Sequence, residues 1–216
     1  MIALGGSAAA LLCLLAWAGL GAGGAHYIAT HCHVVGSEGR PPPGESDVTY
    51  APGLHAWYAA PRQPDLPTIT MVPGYGGDRR DSGPFAAAMQ ERGYGILRLD
   101  LGCSHGAGPY GGGPAEAREV IVGAAFAAKA SGGQVVLFGF SAGGTEALMA
   151  AEMGAPVAGV ITDSAPVHLL NIVKDWHNLP MWMYALTPHF YGLFSDRGHL
   201  ASVGPASTMP TLSRRW

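Results

Sequence analysis

The sequence predicts an α/β fold: a mostly parallel sheet with helices on both faces, preceded by an apolar N-terminal helix. Three observations carry this. Short apolar runs of strand length alternate with helical stretches of roughly 10 to 17 residues, the pattern of strands connected by crossover helices. The breaks fall at Gly and Pro, as at Pro52-Gly53, Gly93 and Gly132-Gly133. Residues 2–25, by contrast, are predominantly apolar and uncharged. There are no internal repeats.

A chain of 216 residues suits one domain, large enough to bury a core without staples. It is 48% hydrophobic and only 12% charged, with 33 Gly and 17 Pro, which makes it apolar and rich in turns. A net charge of -3 gives no electrostatic case for nucleic acid. Cys13, Cys32 and Cys103 are too few and too scattered for a disulfide framework or a metal cluster, and they are expected as isolated thiols. A Cys32–Cys103 bridge is the alternative if this face lies outside the cytosol.

Residues 2–25 contain no charged side chain, and Leu11, Leu12, Leu14, Leu15, Trp17 and Leu20 form their hydrophobic centre. That length can span a bilayer, and residues 1–34 are read as a single membrane anchor. Gly23-Gly24-Ala25 also resembles a small-residue cleavage site, so a secretory signal is the competing reading, and the protein is then secreted. With no Lys or Arg before Arg40, charge leaves the orientation open. His31-Cys32-His33 lacks a fourth metal ligand.

Residues 35–47, containing Pro41-Pro42-Pro43, read as an exposed linker, and the domain is expected over 48–216. Residues 48–50 and 54–58 form a hairpin about Pro52-Gly53. Residues 68–72 make the next strand, running into Pro73-Gly74-Tyr75-Gly76-Gly77. Asp81 or Ser82 then caps a helix that presents Phe85 and Met89 and stops at Gly93. Ile96, Leu97 and Leu99 lie on a strand ending at Asp100. Pro114 opens a helix lined by Val120, Ile121, Ala124 and Ala128. Val135, Val136, Leu137 and Phe138 form a buried strand, residues 145–153 a helix stopped by Gly154, and residues 157–162 a last strand closing at Asp163. Residues 164–209 hold Trp176, Trp182, Tyr184, Phe190, Tyr191 and Phe194 among Pro and Gly. They read as short helices and loops lying as a cap over the ligand-binding end of the sheet.

Within residues 134–144, QVVLFGFSAGG, the strand breaks off into Gly139-Phe140-Ser141-Ala142-Gly143, a G-x-S-x-G sequence. In a nucleophile elbow a strand turns abruptly into a helix, and small residues two before and two after the serine let the chain pass. The serine hydroxyl is thereby exposed. An ordinary Gly-rich turn whose serine caps the helix is the plainer reading.

The order of motifs resembles the α/β-hydrolase superfamily, in its branch of Bem46-like and serine-aminopeptidase-like lipases and esterases. The carriers are Leu54-His55-Ala56-Trp57-Tyr58, the Pro73 to Gly77 loop, the loop from Asp100 to Gly106, and the elbow. The resemblance covers residues 48–212. It implies Ser141 as nucleophile, with the backbone N–H groups of Ala142 and Tyr75 as the oxyanion hole. The substrate class it implies is a small acyl compound, an ester, thioester or amide, and the enzyme class a carboxylic ester hydrolase or a serine peptidase-like one. Pro73 stands where the family has His, and Gly102 where Arg is common. His105 is expected within a structural loop beneath the cap.

A serine needs a histidine to take its proton and a carboxylate to orient that histidine, in the order Ser, acid, His for this fold. In the resembled family both follow a strand that opens like Pro210-Thr211-Leu212, whereas here Ser213-Arg214-Arg215-Trp216 follows. The expectation is a C-terminally truncated hydrolase domain, lacking its last strands and impaired in activity. Asp163 and His199 are weak substitutes, beside His168, His177 and His189. A membrane-tethered, non-catalytic binding protein on the same scaffold is the alternative. No phosphate loop, metal cluster or dinucleotide fingerprint is present, so no cofactor is expected.

Overall fold

Runs of β-branched and aliphatic residues, each closed off by turn residues, form the strands because each can bury at least one face. The computed structural model describes residues 2–32, 39–105, 108–111, 113–166, 186, 187 and 190. In chain order the elements are α1 (Ile2–Thr30), β1 (Ser46–Ala51), β2 (Leu54–Ala59), β3 (Thr68–Val72), α2 (Gly83–Glu91), β4 (Gly95–Leu99), a 3-10 turn (Gly102–His105), α3 (Pro114–Ser131), β5 (Val135–Phe140), α4 (Ala142–Glu152) and β6 (Gly159–Asp163). The sheet runs β1-β2-β4-β3-β5-β6. β1 and β2 are an antiparallel hairpin, and β2 is antiparallel to β4. The other pairs are parallel. The chain leaves β3 for β4 on one side and then crosses to β5 on the other. The carboxyl ends of β3 and β5 therefore flank the point where strand order reverses, where open α/β sheets bind ligands.

Alternate residues of the strands face opposite layers. Ile69, Met71 and Ile96 point to α2 and pack with Ala86, Phe85 and Met89. Phe85 stacks on Phe138 with ring centroids 4.2 Å apart. On the other face Val72, Leu97, Leu99, Val135 and Leu137 meet α3 and α4. Those helices present alanines, Ala117, Ala124, Ala127, Ala147 and Ala150, all buried, which lets them lie close to the sheet. A Cβ on Gly123 would come within 2.8 Å of Leu99, so β4 and α3 approach each other there without room for a side chain.

The expected strands and helices occur with small shifts. α4 begins at Ala142 rather than at 145, because the two glycines that weaken helix propensity there are held by tertiary contacts. Ser82 is the N-cap of α2 but makes no side-chain capping bond. Two expectations are corrected. Cys32 and Cys103 are not isolated thiols: a disulfide joins them with Cα atoms 5.9 Å apart, and only Cys13 is free. The expected linker is not exposed throughout, since the Glu45 side chain is buried and pairs with Arg98 at 3.3 Å, and β1 begins at Ser46.

Apolar α1 is long enough over Ala9–Thr30 to cross a membrane. Leu11, Leu12, Leu14, Leu15 and Leu20 are exposed on it, whereas Ala25, Ala29 and Cys32 are buried in the domain core. The helix therefore changes character near Gly21, where a Cβ would meet Leu186 and Phe190.

Leu137 is fully buried between the sheet and α3–α4, so Leu137→Ala should cost about 2 to 5 kcal/mol of unfolding free energy. Val122, exposed on α3, should tolerate Ala within about 0.5 kcal/mol. Denaturant unfolding midpoints of the two variants check both values.

Candidate active site

β5 ends at Phe140 and α4 starts at Ala142, so the whole change from strand to helix falls on Ser141. Ser141 adopts φ 51 and ψ -124, a conformation that costs a non-glycine residue about 1 to 3 kcal/mol. The surroundings hold it there. The Ser141 N–H donates to the Asp163 carbonyl at 2.8 Å, and the Ser141 carbonyl accepts from the Gly144 N–H at 2.9 Å. A Cβ on Gly139 would strike the Gly143 carbonyl, and one on Gly143 would strike the carbonyl oxygens of Val72 and Pro73. These glycines are required by close backbone approach.

Register brings the Gly-rich loop to the serine. Val72 pairs with Gly139, so Pro73 and Gly74 run beside Phe140 and Ser141, and a Cβ on Gly74 would lie 3.4 Å from that of Ser141. The loop turns with the Gly77 N–H donating to the Gly74 carbonyl at 2.9 Å and Gly76 at φ 71, the positive φ such a turn demands at its third residue. Tyr75 occupies the second position. Ala142 is the first residue of α4, where backbone N–H groups lack an intrahelical partner and the helix dipole favours negative charge.

Three sets of contacts fix the loops around this crossing. The Asp100 carboxylate, fully buried, accepts the Arg79 N–H at 2.9 Å and pairs with the Arg79 guanidinium at 3.0 Å, tying the end of β4 to the exit of the Gly-rich loop. The Ser104 hydroxyl donates to the Gly77 carbonyl at 2.6 Å. From α3, Glu116 accepts the N–H groups of Gly111 and Gly113 at 2.6 and 2.9 Å, and Glu119 accepts that of Gly102 at 2.8 Å. Behind Ser141, Glu146 lies fully buried on α4 and accepts a hydrogen bond from the Tyr110 hydroxyl at 3.0 Å. Burial, and then the charge of Glu116, push the Glu146 carboxyl well above its ordinary range. A cavity of about 370 Å³, walled by Phe85, Phe138, Phe140 and Asp163 among others, opens on the α2 side of the crossing, and Ser141 is not in its wall.

Of the residues singled out from sequence, Ser141, Ala142 and Tyr75 come together at one end of the sheet. Asp163 pairs with Phe140 in the β5–β6 ladder; its carboxylate is exposed and accepts the Ser164 hydroxyl at 2.8 Å. His168, His177, His189, His199, most of the expected cap and residues 209–216 lie outside the described residues. Among the described residues no group of three His, Cys, Asp or Glu side chains could hold a metal ion. Sequence reasoning missed Tyr110, Glu116 and Glu146. Glu116 had a signal, two residues after Pro114 at the start of a helix, where a carboxylate reaches back to preceding N–H groups. Glu146 follows Ala142 by one helical turn on the buried face.

No family model matches the chain, and no curated protein matches it. Solved structures do. The Pyrococcus furiosus esterase Pf2001 superposes with a TM-score of 0.53 at 18% identity, over 78% of this chain and 69% of that one. The Anabaena variabilis dienelactone hydrolase gives 0.51 at 17% identity, over 82% of this chain and 97% of that one. AbyA5 gives 0.52 at 18% identity, over 76% of this chain and 50% of that one. With the strand order and the turn at Ser141, these likenesses show that the chain has the α/β-hydrolase fold.

Gly143→Ala should destabilise the fold by about 3 kcal/mol or more, because backbone carbonyls cannot move aside as side chains can; thermal unfolding would show it. Glu146 binds its proton more tightly when folded than at its ordinary value of 4.5. Its contribution to stability is therefore full below that value and is lost as pH rises through the raised folded value. Glu146→Gln keeps an acceptor for Tyr110 and removes the titration. Between about pH 5 and about pH 8 its unfolding midpoint should fall less than that of the wild type.

Proposed function

We propose that this α/β-hydrolase-fold chain is a serine hydrolase that cleaves a small ester, thioester or amide by acyl transfer to Ser141. The observation that carries the reading is the left-handed conformation at Ser141 between β5 and α4, with Ala142 at a helix start and Tyr75 on the adjoining Gly-rich turn. Strain at a single serine, stabilised by glycines that admit no side chain, is what presentation of a nucleophile at the head of a helix requires. That the superposable Pyrococcus furiosus protein is an esterase supports the choice of chemistry.

In this mechanism the Ser141 Oγ attacks the carbonyl carbon and the carbonyl π electrons move to oxygen. The N–H groups of Ala142 and Tyr75 stabilise that oxyanion, each worth about 3 to 4 kcal/mol by deletion. Collapse expels the alcohol, thiol or amine and leaves an acyl-serine, which water then cleaves. The proton of Ser141 must pass to a base, for which the sequence offers His168, His177, His189 and His199. A carboxylate would orient that base, and Asp163 is the one beside the elbow. Backbone donors explain why Pro73 is compatible with this chemistry in place of a histidine.

The membrane enters the reading through α1. The Cys32–Cys103 disulfide fits an oxidising compartment, since cytosolic thiols are kept reduced. We therefore place the domain on the non-cytosolic side, with α1 as a single anchor.

The purified 216-residue chain in detergent should take up a fluorophosphonate probe covalently at Ser141 and hydrolyse a short-chain p-nitrophenyl ester above background, at a rate lowered by the lack of a histidine at the family position. Ser141→Ala should abolish labelling and lower hydrolysis to background without changing the unfolding midpoint by more than a few degrees. Labelling that survives Ser141→Ala, or a wild type inert to both reagents, would overturn the assignment.

A further inference from the structure

An α-helix ends with carbonyl groups that have no intrahelical partner, and something must satisfy them when the end is buried. The end of α1 is buried, at Ala25, Ala29 and Cys32, and its partners come from the loops around Ser141. The Tyr75 hydroxyl donates to the Ile28 carbonyl at 2.8 Å. The Tyr110 N–H donates to the Ala29 carbonyl at 2.8 Å. The Tyr75 and Tyr110 rings meet edge to face with centroids 5.0 Å apart, and Tyr110 is held in turn by Glu146. Two residues beyond α1, Cys32 is bonded to Cys103, whose neighbour Ser104 grips the Gly77 carbonyl. The Gly-rich turn is thus fastened at its second residue by the helix end and at its last residue by the loop bonded to that helix.

We infer that the last two turns of α1 are a working part of the site, with the Tyr75 hydroxyl as a positioning group that holds the Tyr75 N–H in place through the Ile28 carbonyl. This rests on the assignment of the Tyr75 N–H to the oxyanion hole. The negative end of the helix dipole faces a hydroxyl donor, a favourable pairing. Burial, and then the Tyr27 phenol, push the Tyr75 hydroxyl up to about 12, so it remains a donor across the physiological range. The small residues that look like a cleavage site are part of the same seat. Ala25 is fully buried, and a Cβ on Gly24 would meet the Thr187 hydroxyl at 2.9 Å. Removal of residues 1–25 would leave His26 to Cys32, about two disulfide-tethered turns, too short to hold a helix by itself.

The test uses the 216-residue chain in detergent and two variants. Tyr75→Phe deletes the hydroxyl and keeps the ring against Tyr110. The paired substitution Cys32→Ser with Cys103→Ser releases the helix end. For Tyr75→Phe we expect kcat on the p-nitrophenyl ester to fall about tenfold, about 1.4 kcal/mol in the barrier, with KM within about twofold. Amide hydrogen exchange at residues 74–77 should quicken in both variants while exchange in β3 and β5 stays slow. Unchanged exchange at 74–77 in Tyr75→Phe overturns the inference, as does faster exchange there with an unaltered kcat. If the wild type proves inert to ester and probe, the hydrolase assignment falls and exchange at 74–77 alone decides whether α1 holds the turn. If the cysteine variant fails to fold, Tyr75→Phe decides by itself.

Discussion

The reversal of the backbone at Ser141 is the constraint on which the rest of the site depends. A strand and a helix can share a single connecting residue only if that residue takes a left-handed conformation and nothing beside it occupies space. Gly139 and Gly143 meet the second condition against the carbonyls of Gly143, Val72 and Pro73. The first is held by neighbours: the Asp163 carbonyl receives the Ser141 N–H, and the helix start receives the chain. Because β3 and β5 are parallel and in register at Val72 and Gly139, the loop leaving β3 has to pass the serine. A helix N-terminus and a turn of glycines meet there as a consequence of sheet register.

Around that point the protein uses buried charge in two ways. Asp100 and Arg79 neutralise each other and hold a loop to a strand end, and Arg79 and Arg98 lie over the Trp57 ring at 4.8 and 5.0 Å. Such pairs hold geometry more than they add stability, since desolvation offsets most of the attraction. Glu146 is different. It has Tyr110 as a donor and no cation at hand among the contacts described, so burial favours its protonated form. Glu116 and Glu119 instead satisfy backbone N–H groups of the loop before α3 and of the first residue of the 3-10 turn, which is what buried backbone outside regular pairing requires.

The helix at the N-terminus has two kinds of surface along one element. Its leucines from Leu11 to Leu20 are turned outward, as would suit lipid, and its last turns are built into the domain beside the Gly-rich turn. About 29 residues at 1.5 Å per residue allow both, a span of hydrocarbon thickness followed by two turns of docking. The hydrolase reading and the anchor reading therefore bear on one another, because the segment that would hold the protein to a membrane also caps onto the turn beside Ser141.

Local pattern was enough for the elements. Among the described residues, apolar runs bounded by Gly and Pro placed each strand and α-helix to within a few residues, the 3-10 turn apart, and G-x-S-x-G with strand before and helix after predicted the turn at Ser141, because those features depend on residues near in sequence. The meeting of Tyr75 and Ser141 was expected only from resemblance, and strand order came from the structure, since no residue count tells which strands are neighbours. The Cys32–Cys103 bond stood only as the alternative to isolated thiols for the same reason. It joins residues 71 apart, and only the docking of α1 on the domain brings them within bonding distance. The burial of Glu146 was likewise hidden, because a carboxylate on a helix reads as solvent-facing until the helix has a neighbour. By itself the sequence determined what each segment can become; packing of the helices on the sheet decided which segments touch, because those contacts depend on distances that the chain covers only once it is folded.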